Sequence, residues 1–121
     1  MKRLELKDGF RKIKIDSVKQ LGFFEKGYGL MFQRREKARA LLFNFKKPVS
    51  FHLTSLFVFF PFLVLWMDEN NKILEKKIVK PWIFAISPSV KNYKKILEVP
   101  LNDFYLRKVK NIVGAKDLNT F

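Results

Sequence analysis

His52, the only histidine of the chain, is the first place to look for chemistry. Imidazole titrates near neutrality and can act as a base, a metal ligand or an anion contact. On an extended strand Ser50 and Thr54 would share its face, because residues two apart point the same way. No Gly-x-Ser-x-Gly elbow surrounds these hydroxyls, so a nucleophilic triad is not indicated. A pocket formed by Tyr28, His52 and Glu98 would suit a small ligand or an enzymatic site. Glu98 lies between Leu97 and Val99 and in a strand points opposite to both, toward solvent or a buried partner cation. With one His and no Cys, a metal would need carboxylates, and Asp68-Glu69 lacks the glycine-containing spacing of a calcium loop. Gly27-Tyr28-Gly29 is followed by no Lys-Ser/Thr and reads as a turn, not a phosphate loop. The reading therefore assigns no catalytic residue, no metal and no cofactor, and leans away from an enzyme.

Charge gives the stronger lead. There are 25 Lys and Arg against 11 Asp and Glu, a formal net charge of +14. Such a chain is attracted to polyanions, by charge and counterion release. The cations cluster: Arg34, Arg35, Lys37 and Arg39; Lys46 and Lys47; Lys76, Lys77 and Lys80 beside Trp82; Lys91, Lys94 and Lys95 around Tyr93; and Arg107, Lys108 and Lys110. Interleaved Trp82 and Tyr93 would stack unpaired bases where they are exposed. The leading expectation is a non-enzymatic binding module for RNA or a ribonucleoprotein, with Arg34, Arg35, Lys37, Arg39, Lys46 and Lys47 as the main phosphate contacts. The competing bland reading is a set of solvated basic faces in a lysine-rich chain. A third class is an assembly domain docking through exposed Phe.

These residues need a scaffold, and 121 residues with 48% hydrophobic content supply one domain, 1–121. The absence of cysteine excludes disulfides and is compatible with a cytoplasmic protein. Met1–Phe10 shows no apolar segment of the kind a secretory signal needs. The longest apolar run, Leu56–Met67, has 12 residues and contains Pro61, so it predicts buried β-structure and no membrane span. Arg11–Asp16 alternates charged with apolar residues, a half-buried strand with Ile13 and Ile15 inward. Val18–Glu25 follows as a short helix capped by Asp16 or Ser17. RREKAR at 34–39 reads as a surface turn or loop, and Leu41–Phe45 as a strand ending near Pro48. Phe62–Met67 is apolar on both faces and predicts a central strand. Asp68–Asn71 then forms the turn of a hairpin with Lys72–Val79. Ile96–Val99 is a further strand, Asn102 caps a helix over Asp103–Lys108, and Leu118–Phe121 ends the chain as a strand. The sum is an α+β, β-rich fold, a small twisted sheet or open barrel of five to seven short strands with two short helices.

Several islands in this order resemble an uncharacterised family, domain of unknown function 192, in its archaeal form. They are Lys26-Gly27 with Gly29-Leu-Met-Phe32, Leu41-Leu-Phe43, His52 with Leu56-Phe-Val-Phe-Phe-Pro61, and Leu65-Trp-Met-Asp68 with Glu69-Asn-Asn-Lys72. Lys80-Pro-Trp82, Leu97-Glu-Val-Pro100 and the Gly114–Phe121 end follow. The resemblance spans about 16–121, after a basic strand segment at 1–15. Leu63 stands where many members carry Asp, and Gly114-Ala115-Lys116-Asp117 replaces a Gly-Asp pair. The resemblance implies a β-rich single domain and no particular activity.

Overall fold

Leu4 and Leu6 alternate with cations along the first strand, and Ile13 and Ile15 do the same along the second, so each strand has one face to bury. In a computed structural model of the chain, which describes residues 2–21, 30, 33–49, 55, 58–83 and 85–114 (46–49 by backbone alone), those faces come together. Strand β1 (Lys2–Asp8) pairs antiparallel with β2 (Arg11–Gln20) through a tight turn. Gly9 takes φ 63° in that turn, a conformation that glycine adopts without a Cβ clash. Between Leu4↔Ile15 and Lys2↔Val18 the register slips by one residue, and Ser17 takes φ 54° there. This bulge turns Val18 onto the face already holding Ile13 and Ile15.

β2 then pairs parallel with β3 (Leu41–Val49) at Lys19↔Leu41 and Gln20↔Leu42. The helix expected from Val18 is thus not formed over 18–20. Val18 is fully buried and the backbone around Lys19 is committed to the ladder, so tertiary pairing overrides local propensity. Residues 22–25 of that expected helix lie outside the described residues, as does the strand expected at Leu118–Phe121. β4 (Phe62–Met67), β5 (Ile73–Val79) and β6 (Tyr93–Pro100) complete a six-stranded sheet of order β1-β2-β3-β6-β4-β5. Asp68–Asn71 makes the β4–β5 turn as expected, with Asn71 at φ 63° and Asp68 Oδ1 accepting the Asn70 and Lys72 N–H groups.

The sheet curls into a half-barrel. Its two edges meet where Lys7 N–H donates to Asn71 O at 2.9 Å and Lys7 bridges Lys72. All six residues of β4 are buried, which forces apolar cover on both faces. The inside of the curl collects Leu6, Ile15, Leu63, Leu65 and Val99, sealed by Val109 and Ile112 of the helix α1 (Leu106–Val113). The outer face collects Phe43, Phe62, Val64, Trp66, Tyr93 and Ile96, covered by Leu21, Leu30, Ala38, Val58 and Phe60.

α1 starts later than the expected Asp103. Asn102 instead closes the turn before it, accepting the Tyr105 N–H on Oδ1 at 3.2 Å and the Leu106 N–H on its carbonyl at 2.9 Å. α1 is the one helix among the described residues, against the two expected.

One phenol ties these parts together. Tyr105, fully buried, donates to Ser17 O at 2.8 Å and accepts the Ala40 N–H at 2.8 Å. It therefore fixes the β2 bulge, the entry to β3 and the start of α1 at one atom. Tyr105→Phe strands a buried N–H and is expected to cost about 1–3 kcal/mol in urea unfolding. A loss under about 0.5 kcal/mol would show that water replaces the hydroxyl.

Candidate functional site

Exposed aromatic side chains are where a folded chain can touch something else, and the candidate site is built around one of them. Trp82 follows β5 after Lys80 and Pro81, and its backbone takes φ 64°. A bulky residue in the left-handed region is held there at a cost of about 1–2 kcal/mol. The holding is done by Ser55, which is fully buried. Its Oγ donates to Lys80 O at 2.7 Å and accepts the Ile83 N–H at 2.6 Å. Its backbone N–H donates to Ile83 O, and its carbonyl accepts the Trp82 N–H, both at 2.9 Å. A buried serine thus clamps 80–83 from both sides and leaves Trp82 51% exposed.

Phe59 stands beside it, 59% exposed, with ring centroids 5.6 Å apart in an edge-to-face arrangement. Local alternation puts it there: Val58 and Phe60 enter the outer core and Phe59 points away. An open, largely apolar groove of about 310 Å³ runs along the end of β5 and reaches Ile83, the residue after Trp82; Ile78, Val79, Ile83, Ala85 and Ile86 line it with Lys77, Lys80 and Ser87. Just beyond the groove, the Glu75 carboxylate of β5 accepts the Ser89 and Val90 N–H groups. Lys77 Nζ reaches Ser87 O at 3.3 Å, and Lys80 is exposed at the rim.

The other expected contacts are scattered. Lys76 and Lys77 are neighbours on a strand and point to opposite faces. Lys76 Nζ reaches Asp8 at 3.3 Å and Ile112 O at 2.8 Å, on the helix side. Tyr93 is fully buried and offers no stacking face, since the side of β6 that carries it is the outer core. In the 34–39 loop Arg34, Arg35 and Lys37 are exposed and Arg39 is half-buried. Arg35 Nε donates to Leu101 O at 2.7 Å, and the Arg39 guanidinium sits 4.4 Å from the centre of the Phe104 ring. A larger cleft of about 380 Å³ opens here, but Glu36 and Asp103 line it beside Arg35 and offset its charge. In the groove beside residues 80–83 the charged lining residues are both lysines, so no acid offsets their charge there. The backbone of Lys46 and Lys47 lies in β3, and their side chains are outside the described residues.

Of the expected ligand pocket, Tyr28 and His52 lie outside the described residues. Glu98 is in the outer core, 4% exposed, paired in register with Leu41 and Val64. It is closed off from solvent, and among the described residues no cation pairs with it. Burial pushes its carboxyl up to about 8, and among the described residues Oε1 accepts no hydrogen bond. The buried Trp66 Nε1, diagonal to it across β4 and β6, also lacks a partner there.

Comparison with known proteins adds the family and the fold. A family model for domain of unknown function 192 (DUF192), described as an uncharacterized ACR, matches residues 5–111. The match takes in most of β1, earlier than the 16–121 span indicated by the sequence, and stops before Gly114. No curated protein matches the chain. A protein of unknown function from Novosphingobium aromaticivorans superposes with a TM-score of 0.66 at 12% identity, over 87% of this chain and 76% of its own. A Sinorhizobium meliloti protein, provisionally described as a transcription regulator, superposes with a TM-score of 0.54 at 15% identity, over 88% and 84%. At these identities the likeness is one of fold.

Glu98 gives a signed pH prediction. The unfolded chain releases this proton near 4.5 and the folded chain near 8, so between those values the unfolded state binds fewer protons. The Glu98 contribution is fully present below pH 4.5 and is lost as pH rises through 8. Its slope is at most about 1.4 kcal/mol per pH unit. Glu98→Gln, uncharged and of equal size, should flatten that part of the stability–pH curve. An unchanged curve would mean the carboxylate is accommodated.

Proposed function

The chain belongs to the DUF192 family, and from that footing we propose that it is a non-enzymatic binding module for single-stranded RNA. The observation that carries this reading is the Ser55 clamp, which holds Trp82 in a strained backbone, half exposed and against Phe59, just after Lys80 and Pro81; Lys80 with Lys77 supplies the charge of a largely apolar groove. Single-strand binders combine such aromatic platforms, on which bases stack, with cations that follow the phosphates. Every base has a π-face, so this recognition is sequence-tolerant. The net charge of +14 supplies long-range attraction, and Lys77 and Lys80 supply the local contacts. Arg34 and Lys37 are secondary contacts on a separate surface. In this reading Trp82 is the stacking residue, and the platform replaces the arginine loop as the centre of the site.

A second reading, a small uncharged ligand bound inside the outer core, is favoured by Glu98 and Trp66. An acid and an indole N–H, both buried and without partners among the described residues, present a donor and an acceptor to one guest. Native mass spectrometry of purified protein tests it: an added mass that disappears in Glu98→Leu supports the guest, and a bare chain counts against it.

For the RNA reading, nuclease-treated protein is titrated with oligouridylate across a salt series. Trp82→Ala should weaken binding by about 1–3 kcal/mol at every salt concentration. Lys77→Gln with Lys80→Gln should reduce the log–log salt slope by about 1.4, or ~0.7 per phosphate contact. Binding that Trp82→Ala leaves intact would reduce the interaction to net charge and remove the platform from it.

A further inference from the structure

The β1–β2 turn carries Phe10, which is fully exposed and which no other described ring touches. Exposure of a lone phenylalanine at a loop tip would be unremarkable if the tip were loose, but this one is braced from three sides. Asp8 accepts from Arg11 Nη2 at 2.7 Å and from Lys76 Nζ at 3.3 Å. Burial pulls the Asp8 carboxyl up, and the hydrogen bonds and charges of Arg11 and Lys76 outweigh this and hold it below its usual range. The same two cations reach the last carbonyls of α1, Arg11 to Asn111 O at 2.9 Å and Lys76 to Ile112 O at 2.8 Å. They satisfy groups that the helix leaves without internal partners and oppose its dipole. The hairpin tip, the centre of β5 and the C-terminal end of α1 are therefore one cross-linked unit, and Phe10 projects from it.

The surface around the projection is cationic. Lys7, Arg11 and Lys12 are exposed on the hairpin, and Lys110 is exposed in the last turn of α1. Asp8 is the one acid of the tip, and it is occupied internally. A single ring surrounded by cations offers a protein partner too little apolar area for a stable interface, which takes about 800 Å² per side. A bilayer makes no such demand: its anionic headgroups are laterally continuous, and one apolar side chain can enter between them. We propose that the β1–β2 tip docks the protein on an anionic membrane surface, with Phe10 as the wedge and Lys7, Lys12 and Lys110 as the headgroup contacts. This surface is separate from the Trp82 platform.

The test is co-sedimentation with vesicles of phosphatidylcholine alone and of phosphatidylcholine mixed with phosphatidylglycerol. The protein should bind only the mixed vesicles. Phe10→Ala should weaken that binding roughly tenfold, and Lys12→Gln roughly fivefold. Because Phe10 buries nothing in the fold, Phe10→Ala should leave the melting temperature unchanged, which separates lost docking from lost structure. In a Trp82→Phe background, Phe10→Trp should shift its emission to the blue on mixed vesicles, since Trp66 is already buried. Equal vesicle binding by Phe10→Ala, or an unmoved emission, would overturn the proposal. So would Phe10→Ala weakening oligouridylate binding while vesicle binding stays intact, which would make the tip a nucleic-acid contact.

Discussion

Burial of β4 on both faces is the constraint from which the rest of the molecule follows. Six consecutive apolar residues, Phe62–Met67, cannot lie against water on either side, so a single sheet must carry two cores. The inner core is made by curling β1 and β2 round until β1 meets the start of β5, and by plugging the curl with α1. The outer core is closed by residues from between the strands, Leu30, Ala38, Val58, Phe60 and Ile86 among those described, over β3, β6 and β4. One consequence bears on function: the apolar faces of the sheet are used up internally. Among the described residues the exposed aromatic rings, Phe10, Phe59, Trp82 and Phe104, stand instead at turns and rims, where backbone chemistry sets their direction.

The cations divide in a comparable way. Arg11, Arg35 and Lys76 close carbonyls that would otherwise lack partners, Arg39 covers the Phe104 ring, and Lys94 and Arg3 pair with Glu69 and Asp16. These groups use part of the charge to hold loops and the helix end against the sheet. The charge directed outward is therefore smaller than the composition suggests, and it is spread over several elements; at the end of β5 and at the hairpin tip it stands beside an exposed aromatic ring. Charge draws a polyanion to the protein, while the ring decides where it rests.

Much of the sheet was legible in the sequence because its signals are local. Alternation placed Ile13 and Ile15 inward, the unbroken apolar run marked β4 as central, and Asp68–Asn71 marked the turn after it. The failures have non-local causes. Val18–Gln20 reads as the start of a helix in sequence but has a strand partner in space, and the Ser17 bulge that brings it there is invisible to periodicity. Asn102 reads as a cap for a helix from Asp103, yet it closes the turn that leads into α1, four residues before Leu106, and its amide also donates to Arg35 O and Ala38 O. Tyr93 and Glu98 alternate like half-exposed strand residues, but β6 lies between β3 and β4 and both its faces are covered. At the site, Trp82 was legible as an aromatic among lysines. Phe59 and Ser55 were not, because the first looked like one more core phenylalanine and the second like a loop serine. Alternation across Val58–Phe60 was the available signal for Phe59. Nothing local announces that Ser55 meets residues 80–83.

Tryptophan emission during titration with a single-stranded oligonucleotide tests the central claim most directly. Trp66 is sealed in the outer core and Trp82 is half exposed, so any change in emission belongs to Trp82. Stacking of a base on the clamped indole predicts saturable quenching that tracks complex formation. Complex formation with unchanged emission would place the nucleic acid elsewhere on the protein and contradict the assignment of Trp82 and Phe59 as the platform.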